Sequence, residues 1–470
     1  MKQRNLTERT GTLCSSLAVF LLVLVVLMYG ILGLKLSAHL PLIATTAVVT
    51  LYGRFYLKIS LKELEQTAQK AAKEVPFLIL LAIGMLIASW ILSGTVPYLV
   101  SLGLQFLSPK WFLAFVVVMC AALAAVTGSS WTTCATLGVA FLAISISMGI
   151  PAGMTIGAVV CGAFFGEKQS PISDFTVMAA SMSRVELMHH LRYMLFSSVP
   201  ALVLSVVLFL LLGLQYQSGA ADLQQTRQIQ QELVSAFHFS PWLLLPPVVL
   251  AVGVSIKLPG IYVMSLSTAV AAVQAIVMQQ LPASQVATML YSGVSFSTGS
   301  AVVDAICNRG GFVSMSSNIT MLICSMCLGS TLSRTKVLSI LMEHVSPWIR
   351  SRFWLVFATF FSCSIVSFFT GAPSVGIVIA ENALGVNYEE QNVDRAVLSR
   401  TVSEAATLQQ PLVPWGASGA FVANCFGLSP MAIAPYFFLG WFMPLFGLLL
   451  GLTGIGCPIQ THTEKAGGTT

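Results

Sequence analysis

The chain has 470 residues, of which 56% are hydrophobic and only 9% are charged. An ordinary soluble domain carries about 25% charged residues. This chain therefore has too few charges to cover a water-facing surface of its size, and its surroundings must be mostly lipid. The formal net charge of +6 is modest, and the cations lie in short loops between apolar runs, which excludes a basic nucleic-acid-binding surface. The composition predicts a polytopic membrane protein.

The apolar runs, taken in chain order, predict the spans, each of which needs roughly 20 apolar residues. Clear candidates lie at 17–35, 38–56, 76–95, 111–127, 193–214, 241–257, 261–280, 318–332, 353–370 and 434–455. Less regular stretches, interrupted by Gly, Pro, Ser or charged residues, lie at 130–148, 152–180, 285–306, 372–386 and 397–426. The sequence thus predicts an all-α fold with about 11 to 13 transmembrane helices, some of them discontinuous. The first run lacks a cleavage site, so we expect a retained span and not a signal peptide.

The positions of Lys and Arg predict the orientation, because short cytoplasmic loops carry an excess of them. Four segments are basic and are predicted to be cytoplasmic, namely the N-terminal tail and the loops near 54–73, 183–192 and 333–352. The Gln-rich segment 215–232 has one cation, Arg227, and is predicted to be external. We therefore expect a multi-pass protein of the bacterial inner membrane with a cytoplasmic N-terminus.

Two stretches of the chain resemble each other. MLIASWILSGTV at 85–96 and MLICSMCLGSTL at 321–332 agree at six of twelve positions. Thr127-Gly128 likewise matches Thr370-Gly371, and Ser-Pro-Ile at 170–172 matches Gln-Pro-Leu at 410–412. Three such matches in the same order, at offsets of 236, 243 and 240, predict an internal repeat.

The loops that follow the matching stretches differ in charge. The loop 97–110 has only Lys110, whereas its counterpart 333–352 is basic. Equivalent loops are thus predicted to face opposite sides, as in the inverted repeats of secondary transporters, which bind substrate at the midplane. We expect a first transmembrane repeat at 1–214, an external polar linker at 215–240, a second repeat at 241–456 and a polar tail at 457–470.

The segment GAFFGEKQSPISDFTVMAAS at 162–181 carries charges at membrane depth. Each charge at the centre of a span costs about 2.5–3.5 kcal/mol, so Glu167, Lys168 and Asp174 must pair, face water or serve a function. Pro171 breaks the helix and frees backbone groups. Ser170 and Ser173 add hydroxyl ligands that suit Na⁺. The alternatives are an ion-binding site and structural ion pairs from Glu167 to Lys168 or Arg184.

The second half has a similar segment, LSRTVSEAATLQQPLVPWGASGAF at 398–421. It contains the acid Glu404 and Gln410, with Pro411 and Pro414 as predicted helix breaks. Arg400 is either a cytoplasmic anchor or a binding residue. TGSSW at 127–131 and TGAPS at 370–374 either line a cavity, through Thr127 and Ser129 in the first half, or pack helices closely.

Enzymes and pumps fit the sequence poorly. It has no glycine-rich phosphate loop, no nucleotide motif and no nucleophile with a matching base. We therefore expect no enzyme activity, no cofactor and no nucleic-acid partner. Alternatives to a transporter are a channel or a membrane scaffold, and a homodimer is left open.

These motifs resemble the NhaC-type sodium/proton antiporter family. The resemblance is carried by IGMLIASWILSGTVP at 83–97, TGSSWTT at 127–133, GAFFGEKQSPISD at 162–174, RGGFVSMSSNI at 309–319 and the segment at 398–421. It implies exchange of Na⁺ for H⁺, or Na⁺- and H⁺-coupled exchange of small organic acids such as malate and lactate. Amino acids are a further alternative substrate.

The predicted site follows from the residues and the resemblance together. Its ion- or substrate-binding residues are Thr127, Ser129, Glu167, Lys168, Ser170, Ser173, Asp174, Glu404 and Gln410, with Na⁺ at Glu167 and Asp174. Lys168 would pair with an acid in the empty state or bind an anionic substrate. The family usually has Asp at the position of Glu167, and Thr and Asn at the positions of Phe175 and Val177. A pocket with less polar walls would suit an organic substrate.

Overall fold

The structure is a computed structural model that describes residues 11–34, 36–73, 77–216, 230–256, 258–296, 303–304, 307–308, 310–343, 349 and 351–457. Half of the predicted linker 215–240, and all of the predicted tail 457–470 except Cys457, lies outside the described residues. The N-terminal cations Lys2, Arg4 and Arg9, which supported a cytoplasmic N-terminus, lie outside them as well.

The first half of the chain forms ten described helices, two of which end in a π-helical turn. They are α1 (Leu13–Met28), α2 (His39–Leu51), α3 (Leu61–Lys73), α4 (Phe77–Leu92), α5 (Thr95–Phe106), α6 (Pro109–Thr127), α7 (Ser130–Ser147), α8 (Ala152–Gln169), α9 (Asp174–Met182) and α10 (Leu187–Gly213).

The described part of the second half is also helical. Its main helices are α11 (Gln230–Ala236), α12 (Leu245–Ser255), α13 (Gly260–Val277), α14 (Ala283–Ser292), α15 (Ser316–Thr335), α16 (Val337–Glu343), α17 (Arg352–Thr370), α18 (Pro373–Glu390), α19 (Arg395–Gln409), α20 (Ala417–Phe426) and α21 (Phe438–Thr453).

Within the described residues, seven helices are long and apolar enough to cross a membrane, and three bent helix pairs raise the number to ten if each pair is one span. The helix α10 is apolar over most of its length, yet only 28% of its most apolar window is buried within the protein. Such a surface is stable against lipid and not against water. The fold is therefore that of a polytopic membrane protein. Helices α8, which ends in Glu167, Lys168 and Gln169, and α19 are not among the ten.

The repeat predicted from short matches is visible in the bounds of the helices. Helix α6 spans Pro109–Thr127 and α17 spans Arg352–Thr370, so both have 19 residues at an offset of 243 (352 − 109 and 370 − 127). The starts of α7 and α18, of α8 and α19, and of α9 and α20 repeat at the same offset. The elements of the two halves thus follow one pattern, and their opposite orientation remains a prediction from the loop charges.

Candidate functional site

A tight turn separates α6 from α7 in the first half. Gly128 has φ +68°, a conformation that costs an L-residue about 1–2 kcal/mol. The Thr127 Oγ1 atom accepts a hydrogen bond from the Ser129 N–H at 3.2 Å. The Ser129 side chain in turn caps α7 by accepting from the Thr132 N–H at 3.2 Å. The turn therefore presents the amino end of α7 to the protein interior.

The same turn occurs in the second half. Gly371 has φ +61°, and Thr370 Oγ1 accepts from the Ala372 N–H at 3.3 Å. Because the N-cap residue here is Ala372, no side chain caps the start of α18. The two turns thus share their backbone geometry and differ in their polar side chains.

Glu167 binds to the amino end of α7. Its Oε1 atom accepts hydrogen bonds from the Ser130 N–H at 3.2 Å and from the Ser130 hydroxyl at 2.9 Å. A helix amino end favours a carboxylate, since its N–H groups and its dipole are both positive. The side chain is only 9% exposed, and Oε2 has no hydrogen-bond partner among the described residues. One oxygen of this buried acid is fixed and the other is free to bind a ligand.

Small residues position Glu167 against α6 and α7. Gly162 and Gly166 of α8 lie against the backbone of α6, and a Cβ atom at either position would overlap the carbonyl oxygen of Val117 or Ala121. Glycines four residues apart let two membrane helices approach this closely. Glu167 directly follows the second glycine, so the packing of α8 on α6 sets the place of its carboxylate.

Helix α8 ends beside the Gly128 turn. It stops at Gln169, and Pro171 lies between it and the next helix, α9. The Ser173 side chain caps α9 by accepting a hydrogen bond from the Thr176 N–H at 3.4 Å. A Cβ atom on Gly128 would lie 2.8 Å from Ile172 Cγ1. The Thr176 hydroxyl donates to the Glu167 carbonyl oxygen at 3.0 Å, which satisfies part of the carboxyl end of α8. The break between α6 and α7 therefore lies against the break between α8 and α9.

A cavity of about 670 Å³ opens at this meeting point. It is lined by Thr127, Gly128, Ser129, Trp131, Thr132, Glu167, Ile172, Ser173, Asp174, Phe175, Leu258, Pro259, Gly260 and Met264. The structure thus brings together five of the predicted site residues, which are Thr127, Ser129, Glu167, Ser173 and Asp174. Asp174 is the first residue of α9 and is exposed, in contrast to Glu167.

Lys168 and Ser170 are buried but do not line this cavity. The Lys168 ammonium lies 3.6 Å from the centroid of the Phe175 ring and has no hydrogen-bond partner among the described residues. Such a cation–π contact contributes about 0.5–2 kcal/mol. The structure does not show the predicted alternative, an ion pair between Glu167 and Lys168. Glu167 instead forms hydrogen bonds with Ser130, and Lys168 lies on the Phe175 ring.

Glu404 and Gln410 lie apart from the cavity. Glu404 is 1% exposed and forms an ion pair with Arg400, with 3.3 Å between Oε1 and Nε. Arg400 is fully buried and donates to the Gly456 carbonyl oxygen at 3.2 Å, so the interpretation of Arg400 as a cytoplasmic anchor is wrong. Gln410 follows the last residue of α19 and is 6% exposed. Pro411 and Pro414 lie between α19 and α20.

Residues from both halves complete the site. Sequence reasoning selected Thr127 and Ser129 but missed Ser130, the direct partner of Glu167, although all three belong to the TGSSW segment. It also missed Leu258, Pro259, Gly260 and Met264, which the second half contributes and which carry no polar signal. The Trp131 ring stacks on Phe421 of the second half with 4.8 Å between centroids, and its Nε1 donates to Ser418 Oγ at 3.1 Å. The cavity therefore lies where the two halves meet.

Comparison with known proteins identifies the family. The sequence model of the Na⁺/H⁺ antiporter family matches residues 162–455. The chain is 33% identical to the Na⁺/H⁺ antiporter NhaC of Alkalihalophilus pseudofirmus over 452 residues, which cover 96% of this chain and 97% of the relative. It is 32% identical to the arginine/ornithine antiporter ArcD of Halobacterium salinarum, covering 90% and 88% of the two chains. It is 30% identical to the malate-2H⁺/Na⁺-lactate antiporter of Bacillus subtilis, covering 80% and 81%. The chain belongs to the Na⁺/H⁺ antiporter family.

Proposed function

We propose that the protein exchanges Na⁺ for H⁺ by competition of the two ions for the carboxyl group of Glu167. The observation that carries the proposal is the state of this side chain, which is buried, fixed through one oxygen by Ser130 and unpartnered at the other. A buried carboxyl group in this position must hold either a proton or a cation, because an uncompensated buried charge is costly. Loading of Na⁺ therefore releases the proton, and loading of a proton releases Na⁺.

The cavity supplies the neutral ligands that a hard cation needs. Thr127, Ser129 and Ser173 line the cavity together with Glu167 and carry hydroxyl oxygens, and oxygen donors are the ligands that hard cations prefer. A carbonyl oxygen has two lone pairs, so the carbonyl groups at the break after α8 can add further oxygen ligands even where they accept from Thr176. We assign Na⁺ to the space between these hydroxyls and the free oxygen of Glu167.

Asp174 has a different role in this proposal. Its carboxylate is exposed at the cavity wall, so it can stay charged without a partner and raise the local concentration of cations. We therefore assign it to attracting and handing over Na⁺, with Glu167 as the group that exchanges its proton. The Arg400–Glu404 pair supports the fold around α19 and does not bind the transported ion.

The two halves supply the movement. Repeated elements of opposite orientation, as the loop charges predict, let each half adopt the conformation of the other and open the site to either side in turn. We propose that this takes place in the bacterial inner membrane, with the N-terminus in the cytoplasm, residues 1–214 and 241–456 as the repeats and 215–240 as the external linker. The loops near 54–73 and 333–352 then face the cytoplasm.

Exchange of a small organic acid or an amino acid is the second candidate. It is favoured by the size of the cavity, about 670 Å³, and by the apolar side chains of Phe175 and Met264 in its wall. Sites for organic ligands are mostly apolar, with a few polar groups that orient the ligand. Two relatives are named for the exchange of malate and lactate or of arginine and ornithine.

Reconstituted vesicles distinguish these functions. We expect a Na⁺ gradient to drive proton movement, followed with a pH-sensitive dye, in wild-type vesicles without any organic substrate. Glu167→Gln should abolish this flux, and Asp174→Asn should reduce it severely. The control is Glu186→Gln, which removes an exposed acid beyond the end of α9 and should leave the flux unchanged. Flux that needs added malate, lactate or an amino acid would favour the second candidate, and normal flux in both site variants would refute the site.

A further inference from the structure

A second cavity, of about 610 Å³, lies between α3 of the first half and the helices α15 and α18 of the second half. Its wall is formed by Thr67, Lys70 and Ala71 of α3, by Met326, Gly329, Ser330, Ser333 and Arg334 of α15, by Lys336, and by Ala372, Ser374 and Val375 at the start of α18. Three of these side chains are cations and four carry hydroxyl groups. No acidic side chain belongs to the described residues of this wall.

The repeat relates this cavity to the first one. Ala372, Ser374 and Val375 line the second cavity. At the offset of 243 that relates the helices, their counterparts are Ser129, Trp131 and Thr132, which line the first cavity. Both cavities therefore open at the Thr-Gly turn before the equivalent helix, α7 in the first half and α18 in the second.

The two cavities have opposite charge. The first is lined by Glu167 and Asp174, and Glu167 occupies the amino end of α7. At the offset of 243, the neutral Gln410 corresponds to Glu167 (410 − 243 = 167), and not to Ser170 as in the short sequence match at an offset of 240, although Gln410 follows α19 whereas Glu167 lies within α8. The amino end of α18 therefore has no acid from the repeat, and its positive dipole adds to the field of the lysines. The second cavity is suited to an anion.

The charge of the wall sets the charge of the ligand. Lys70, Arg334 and Lys336 give +3, and Glu63, whose Oε1 accepts from Arg334 Nη2 at 2.8 Å, reduces the total to +2. Lys70 and Lys336 form no ion pair with the described residues. A volume of about 610 Å³ lies within the range of small-molecule sites, roughly 300–1,000 Å³, and exceeds what a single inorganic ion fills.

We propose that this second cavity binds a small organic dianion with two carboxylate groups. Lys70 from α3 and Lys336 from the end of α15 each bind one carboxylate, and the hydroxyls of Ser333 and Ser374 complete the hydrogen bonds. The site shares no residue with the Na⁺ site, so it can fail while the Na⁺/H⁺ exchange proposed above stands.

Binding to the full-length purified protein in neutral detergent tests the proposal. Calorimetric titration with succinate in Na⁺-free buffer should show saturable binding. Lys70→Gln combined with Lys336→Gln should weaken this binding by about tenfold or more, since two charged contacts are lost. Propionate, with one carboxylate, should bind more weakly than succinate.

Two matched lysines serve as the control. Lys62 lies on α3 outside the cavity, and Lys58 shares with Lys336 a left-handed backbone, with φ +59° and +55°. Lys58→Gln combined with Lys62→Gln should leave succinate affinity unchanged. An absence of succinate binding, equal affinity in the cavity variant, or inorganic phosphate binding as tightly as succinate would overturn the proposal. The protein is also tested in lipid nanodiscs. If succinate binding is lost in phosphatidylglycerol nanodiscs but kept in phosphatidylcholine nanodiscs, the occupant is a lipid headgroup, and the proposal is overturned as well.

Discussion

At the scale of single residues, the exchange depends on how the carboxylate of Glu167 is held. Ser130 provides both of its hydrogen bonds, one from the backbone and one from the hydroxyl. Hydrogen bonds to charged groups contribute roughly 1.5–3 kcal/mol, so Ser130→Ala should raise the half-saturating Na⁺ concentration about tenfold, as read from flux against Na⁺. Ser145→Ala removes a buried hydroxyl of the same helix that donates to the Leu142 carbonyl oxygen, and an equal effect there would contradict the assignment.

The buried pair of Arg400 and Glu404 supports a second prediction at this scale. Removal of one member of a buried pair costs about 3–5 kcal/mol, because the other charge is left without compensation. Glu404→Gln should therefore lower the midpoint of thermal unfolding, measured in detergent. The half-saturating Na⁺ concentration of the folded variant should remain that of the wild type, and a rise of it would place Glu404 in the ion path.

The sequence predicts the chemistry of these residues better than their partners. Three charges within the eight residues 167–174 predicted a functional segment at membrane depth, and five of the predicted residues line one cavity. The contacts of Lys168 and Arg400 could not be predicted, because a buried cation can be satisfied by a ring, a carbonyl or an acid from any helix. Only the packing of α8 on α6 and of α19 on its neighbours decides between them.

At the scale of helices, the function depends on the contact between the two breaks of the first half. Gly128→Ala adds a methyl group 2.8 Å from Ile172 Cγ1 and also strains the left-handed turn. We expect transport to fall severely and stability to fall by more than the strain of about 1–2 kcal/mol. Gly149→Ala is the matched control, since Gly149 has φ +70° and nothing lies within 4 Å of its Cβ position. Equal losses in both variants would show that the contact has no role of its own.

The order of the helices was largely predictable, and their exact breaks were less so. Three short sequence matches predicted the repeat. In the structure, the helices from α6 to α9 begin 243 residues before the helices from α17 to α20. Proline marked the gaps after α8 and α19. The π-helical turn inside α7 carries no proline and had no signal in the sequence, because it arises from the packing of the helix and not from local preference.

At the scale of the whole molecule, exchange requires the cavity to open to one side of the membrane at a time. Ile172 is exposed on the cavity wall, and Cys14 is the exposed cysteine among the described residues. Ile172→Cys in a Cys14→Ser background should react with a membrane-impermeant maleimide from one side of the vesicle, and the rate should change when Na⁺ is added. A rate that is independent of Na⁺ in this variant, if it still transports, would argue against alternating access at this cavity.

A site between the two halves was predicted, but the residues that the second half contributes to it were the least predictable feature. Leu258, Pro259, Gly260 and Met264 complete the first cavity although they are distant in sequence and apolar. Nothing local marks such residues, because their role follows from the way in which one repeat packs against the other. The second, basic cavity likewise depends on three separate helices, α3, α15 and α18.

The most direct test of the central claim is whether binding of Na⁺ expels a proton from the protein. Purified protein in a weakly buffered detergent solution is mixed with NaCl, and the released protons are measured with a pH indicator against a choline chloride blank. We expect saturable proton release by the wild type and none by Glu167→Gln, with Glu186→Gln equal to the wild type. Equal release by the wild type and Glu167→Gln would show that the two ions do not compete for this carboxyl group.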